Sequence, residues 1–136
     1  MQLDSFGRLS IRTFTAGGAL PVADTIVRIR GAMEENRDVE YTLTTDVDGI
    51  TEKISLPTSS IAYSQSPNPA EAPFANYDIE IFKEGYYGKR IYNLPIFDGV
   101  DTTLPVNMIP IEDVNNTELY PRDNLDTFIY EDLEEL

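Results

Sequence analysis

The chain holds no histidine and no cysteine, so any chemistry falls to its 24 carboxylates, eight tyrosines and scattered hydroxyls and amides. This inventory removes the imidazole base of a Ser-His-Asp triad, the thiolate nucleophile, and every imidazole or thiolate metal ligand. Carboxylates alone can hydrolyse glycosides, but only as a pair at a set separation. In a chain of net charge -14 two neighbouring acids are commonplace and carry no such meaning. Asp46-Val-Asp48-Gly49 resembles the opening of a calcium loop, which needs further oxygen ligands and a terminal bidentate glutamate at fixed spacing. Only Glu52 follows, and a return strand points it outward, so a tight turn is the preferred reading. Gly17-Gly18 lacks the Lys-Ser/Thr and the helix of a phosphate loop. No catalytic residue, metal site or cofactor is expected, and the chain reads as a non-enzyme.

Contact chemistry has better candidates. Tyr86, Tyr87, Tyr92 and Phe97 lie on or beside one expected hairpin. Tyrosine is apolar in body and polar at its tip, which suits wet interfaces and stacking on sugar rings. The alternative is that these rings cover the edge of the core. Adjacent Tyr86 and Tyr87 cannot both face inward on a regular strand, so one is a contact candidate.

The elements that position these residues are short strands. In Tyr77-Asp-Ile-Glu-Ile-Phe-Lys-Glu-Gly-Tyr-Tyr87 the residues Tyr77, Ile79 and Ile81 share one side and Asp78, Glu80 and Glu84 the other. That period of two marks a half-buried strand, and Gly85 supplies the turn into a second arm through Lys89–Tyr92. Further strands are predicted over Arg8–Phe14, Thr25–Arg30, Val39–Thr45, Ile50–Leu56 and Val100–Met108, with Pro57 ending the fourth. Seven strands without a helical period before residue 111 predict an all-β antiparallel sandwich over residues 1–111. Pro57–Pro73 is a 17-residue connection holding four of the nine prolines, readable as a spacer between sheets or as a contact loop.

Residues 112–136 form an acidic linker and tail with nine acids against Arg122. Leu125, Phe128, Ile129, Leu133 and Leu136 follow helical spacing, with Asp123 or Asn124 as N-cap, and predict a short amphipathic helix. Such a helix needs a surface, either its own sandwich or a basic-rimmed groove on another protein. Leu125, Phe128, Ile129 and Leu133 therefore join the four aromatic residues as candidate partner contacts. The net charge opposes nucleic acid and anionic membrane surfaces, and no apolar run reaches the length of a membrane span. The start at Met1-Gln-Leu-Asp-Ser-Phe6 shows no signal-peptide pattern, which predicts a cytoplasmic protein.

The order Gly7-x-Leu9, Pro21-Val-Ala-Asp-Thr-Ile-Val-Arg-Ile29, Thr45-Asp46-x-x-Gly49, Leu56-Pro57 and Tyr77-x-Ile-x-Ile-x-Lys-x-Gly-Tyr86 resembles the carboxypeptidase-regulatory-like, transthyretin-like sandwich. Ser66-Pro-Asn-Pro69, Ile96-Phe-Asp-Gly-Val100 and Pro105-Val-Asn-Met-Ile-Pro110 are similar to a subgroup found with peptidoglycan-binding and spore-cortex-lytic proteins. The resemblance implies a seven-stranded Greek-key sandwich acting as a non-catalytic adaptor or protein-interaction module of a cell-wall, spore or peptidoglycan system. Two other readings stay open. One is a subunit of a homo-oligomer or larger phage-tail-like or spore-surface assembly; the other is a peptidoglycan-binding module.

Overall fold

In the computed structural model the described residues are 3–60, 74–111 and 130–132. Their strands are β1 (Ser5–Thr15), β2 (Leu20–Pro21), β3 (Ile26–Gly31), β4 (Glu40–Thr44), β5 (Ile54–Thr58), β6 (Phe74–Phe82), β7 (Gly88–Phe97), β8 (Asp101–Asn107) and β9 (Tyr130–Asp132). Two short 3-10 turns accompany them, and no α-helix occurs among the described residues. No helix there is long and apolar enough to cross a membrane.

The strands form two sheets. In one, β1 pairs with β2, β5 and β8; the other runs in the order β4-β3-β6-β7-β9. Leu9, Ile11 and Leu56 from the first sheet share a core with Val27, Ile29, Tyr77, Ile79, Ile81 and Ile96 from the second. Each of these nine side chains is fully buried. Period-two patterning explains this arrangement, since β6 buries every second residue while Asp78 and Glu80 stay on its partly open face. The all-β sandwich is therefore present, and the predicted strands all occur with shifted ends. Gly85, at φ +89, makes the expected turn after β6.

Three expectations are corrected. First, the sandwich is not purely antiparallel: β8 runs parallel to β1 over seven register pairs, from Arg8↔Asp101 to Phe14↔Asn107. The turn after β7 dictates that direction. Its Gly99 amide donates to the Phe6 carbonyl and its Val100 carbonyl accepts from Arg8, so β8 starts beside the first half of β1. Second, the return from β4 does not close a hairpin. Asp46 Oδ1 accepts from the amides of Asp48 and Ile50, and the chain then crosses to the other sheet. Thr51 captures it there, because Ile11 donates its amide to Thr51 Oγ1 and accepts from the Thr51 amide. Pro57 does not end the strand either, since β5 continues to Thr58.

Third, the tail includes a strand, not only a helix-like pattern. Tyr130–Asp132 pairs parallel to Gly88–Arg90 at the edge of the second sheet. Glu131 and Asp132 stand in register with Lys89 and Arg90, and edge pairing satisfies backbone groups that a marginal helix would have to satisfy within itself. The helical contacts Leu125, Phe128, Ile129 and Leu133 lie outside the described residues, as do Ser66, Pro67 and Pro69 of the long connection.

Between the layers, polar groups pin the crossover into β3. The hydroxyls of Thr13, Thr25 and Thr45 all donate to the Val22 carbonyl, at 2.8, 3.2 and 2.9 Å. All three threonines are buried. A buried carbonyl left unpaired costs about 1–3 kcal/mol, so these hydroxyls allow the chain to pass between sheets.

Candidate functional site

The aromatic residues do not form one patch. Tyr86 and Tyr87 sit at the turn before β7, where the Tyr87 amide donates to the Ile109 carbonyl and Tyr86 bridges to Pro110. Both are half-buried, and Tyr86 packs against the core. Phe97 ends β7, roughly 30 Å along the strand from Tyr87 at ~3.3 Å per residue. It packs its ring 5.6 Å from that of Phe74. Tyr92 lies between these ends, and a bulge decides its direction.

That bulge is the feature sequence reading missed. Register passes from Tyr77↔Leu94 to Ile79↔Ile91, so Tyr92 and Asn93 together oppose Asp78. Asn93 takes φ +57, a conformation its side chain tolerates, and donates its amide to Asp78 Oδ1 at 3.0 Å. The inward parity shifts across it, from Lys89 and Ile91 to Leu94 and Ile96. Tyr92 is thereby held half-exposed on the outer side. An Asn inside an otherwise apolar run was the only available signal.

Charged groups are grouped by strand register. On the first sheet Asp101 lies 2.7 Å from Arg8 Nε and 3.0 Å from Lys53 Nζ. Hydrogen bonds from Lys53, then Arg8, hold its carboxyl below the ordinary value. On the second, Arg30 pairs with Glu40 at 2.9 Å, while Glu80 lies 3.9 Å from Arg28 and 3.8 Å from Arg90. All are solvent-exposed pairs of small energetic weight. The Asp46 turn spends its carboxylate on backbone amides, which supports the turn reading.

Tyr77 is the buried phenol. Its hydroxyl donates to the Pro57 carbonyl at 2.6 Å, joining β6 to β5 across the sandwich. Burial pushes its pKa up to about 12, partly offset by the Asn36 side chain. An unfolded tyrosine titrates near 10, so the unfolded chain releases its proton first as pH rises. The phenol's contribution is complete below pH 10 and is lost toward pH 12, a span of about 2–3 kcal/mol for two pKa units. Urea unfolding at pH 10 and 12 is expected to show this extra loss in the native chain and not in Tyr77→Phe. Equal losses in both would remove the assignment.

The sandwich is similar to solved enzyme structures. It superimposes on catechol 1,2-dioxygenase from Pseudomonas arvilla C-1 with a TM-score of 0.54 and 10% identity, over 85% of this chain and 55% of that one. Catechol 1,2-dioxygenase from Acinetobacter sp. ADP1, solved with bound mercury, gives 0.53 and 11% over 80% and 54%. Hydroxyquinol 1,2-dioxygenase from Pseudomonas putida DLL-E4 gives 0.53 and 9% over 79% and 57%. The chain thus spans little more than half the length of these enzymes, and identity this low shows a shared fold. No protein-family model matches the chain, and no curated protein is similar to it in sequence. The transthyretin-like subgroup, with its peptidoglycan and spore associations, gains no support from these comparisons.

They do correct the expectation of a non-catalytic adaptor and non-enzyme. That expectation took an all-β sandwich without histidine or cysteine as a contact module, whereas these structural neighbours are catechol and hydroxyquinol dioxygenases. Oxygen chemistry of that kind is carried by a bound metal or organic cofactor. The donors in this chain do not fit a nitrogen- or sulfur-ligated metal, because histidine and cysteine are absent. Among the described residues no three acidic side chains converge as a metal site. The shared feature is the scaffold: two sheets sealed by alternating aliphatic residues, on the plan that catechol and hydroxyquinol dioxygenases also use.

Proposed function

We propose that this chain is a β-sandwich domain of an enzyme acting on catechol-type aromatic diols. The observation that carries this reading is the superposition of 79–85% of the chain on catechol and hydroxyquinol dioxygenases. Tyr92 is the residue proposed to meet the ring, since it is half-exposed on the outer side of β7 and can stack while offering a hydroxyl. Any cation the side chains hold is bound through oxygen, from carboxylate or phenol, which favours hard ions. The transthyretin-like kinship belongs to the same proposal as a statement about strand order.

The test is oxygen uptake by the purified full chain with catechol or hydroxyquinol, supplied in turn with Fe2+, Mn2+ and Mg2+. Calorimetric titration of catechol runs beside it. Uptake that consumes the diol supports the reading, and Tyr92→Ala then weakens diol binding. Neither binding nor uptake under any of these conditions overturns it.

A further inference from the structure

We propose that β4 is an association edge, where a second copy of this chain pairs its own β4 antiparallel, about a two-fold axis through Thr42. Strand β4 ends the second sheet and has β3 as its neighbour in the strand order. The Gly31 amide donates to the Val39 carbonyl and the Thr45 amide to the Thr25 carbonyl, both at 3.0 Å. Tyr41 and Leu43 therefore turn their backbone groups toward β3. Antiparallel alternation then aims the amides and carbonyls of Glu40, Thr42 and Thr44 at the open side. All three residues are exposed. Such a row of donors and acceptors is a template for another strand.

The flanks of the first sheet are closed to this kind of addition. Strands β2, β5 and β8 carry Pro21, Pro57 and Pro105. The Val22 and Met108 amides donate to carbonyls of β1, and the Arg8 amide turns away from β5 to the Val100 carbonyl. By alternation each of the three prolines has its nitrogen on the side away from β1, where a donor would otherwise stand. Strand β4, with the sequence Glu-Tyr-Thr-Leu-Thr, has no proline and keeps a continuous register with β3.

Self-pairing and charge favour a second copy over an unrelated strand. The five residues of β4 are self-complementary about Thr42. Glu40 falls opposite Thr44 of the second copy and Thr42 opposite its counterpart, in hydrogen-bonded pairs that supply about six main-chain bonds. Tyr41 falls opposite Leu43 of the second copy, in the pair type whose side chains approach more closely. Tyr41 is 38% exposed although it shares the inward parity of Leu43, so this pairing covers a ring that its own sandwich leaves open. Each chain carries -14, yet the edge is locally balanced, with Arg30 2.9 Å from Glu40 and Arg28 3.9 Å from Glu80. The register also keeps the two Glu40 carboxylates on strand positions roughly 14 Å apart. An interface of one short ladder is small, so the dimer is weak and depends on concentration. Salt strengthens it by screening the overall repulsion.

The experiment is sedimentation of the full chain over a hundredfold range of concentration. The expected result is a mean mass rising from one chain toward two, and rising further with added salt. Thr42→Pro removes an outward donor from each copy and leaves the amides that bond β3 in place. It is expected to stay monomeric with an unchanged far-ultraviolet spectrum. Oxidation of single-cysteine chains tests the register independently of that variant, because the chain has no cysteine of its own. Thr42→Cys sets two thiols on Cα atoms about 5.5 Å apart, within reach of a disulfide. Thr44→Cys sets them roughly 14 Å apart, beyond that reach. Several-fold more covalent dimer is expected from Thr42→Cys than from Thr44→Cys. Equal cross-linking by the two overturns the proposal, and so does a dimer that persists in a folded Thr42→Pro chain. A monomer at every concentration also overturns it, even where an unrelated extended peptide adds to β4. Should Thr42→Pro disturb the fold, the two cysteine chains decide.

Discussion

Replacing Ile79 by alanine is expected to lower the unfolding free energy by about 3–4 kcal/mol, within the range for a fully buried isoleucine. Ile79 sits at 0% exposure on β6, between Ile29 of β3 and Ile91 of β7 in register. Truncation removes three heavy atoms from the point where both sheets meet, and strands paired on either side leave little freedom to collapse around the void. The check is urea denaturation: the midpoint falls while the slope m stays the same. Phe6→Ala is the comparison, since Phe6 is 54% exposed and its loss is expected to cost less than about 1 kcal/mol. Similar losses at the two positions would show that the sheets do not share the packed core described above.

Gly31→Ala is expected to cost at least about 3 kcal/mol, through overpacking combined with broken hydrogen bonds. A Cβ at residue 31 meets the backbone carbonyl of Asn36, and backbone cannot rotate away as a flexible side chain can. Asn36 is fully buried, and its side chain accepts from the Met33 amide at 2.8 Å and donates to the Asn76 carbonyl at 3.0 Å. Moving it to admit a methyl group loses both bonds and leaves the Asn76 carbonyl of β6 with the Ala32 amide as its remaining donor. Unfolding followed by both far-ultraviolet dichroism and tyrosine fluorescence measures the loss. An effect below 1 kcal/mol would show that the connection after β3 gives way without disturbing Asn36. No local propensity marks Gly31 for this role, because its constraint comes from a residue on a neighbouring turn.

How much was legible follows the range of the forces involved. The strand at Tyr77–Phe82 is written in its own residues, because alternation and the Gly85 turn act over a few positions. The same holds for Val27 and Ile29, which are buried while Arg28 and Arg30 point out. Sheet membership was less visible. Nothing within Ile54–Thr58 states that it will join β1 and not β4; Thr51 decides that by bonding Ile11, 40 residues away. The bulge at Tyr92–Asn93 depends likewise on Asp78 across the ladder. Among candidate contacts, Tyr86 and Tyr87 proved to be a pinned corner, and Phe97 belongs to the opposite end of β7. The cluster of Arg8, Lys53 and Asp101 escaped notice because its members come from three separate strands or their approaches.

The residues by themselves determined that the sandwich is all-β, which side of most of its strands is buried, and which reactive groups are available. Those properties depend on side-chain type and a period of two, and neither requires knowing what lies opposite. Only the tertiary structure decided that β8 runs parallel to β1, that the tail adds a strand beside Lys89 and Arg90, and that the sandwich shares its fold with part of catechol 1,2-dioxygenase. Pairing partners are chosen by backbone groups, which are alike at nearly every residue, so the choice falls to crossovers and distant hydrogen bonds. Function is further removed still. Sheets of this kind are made by many sequences, and what they hold depends on groups brought together from several strands.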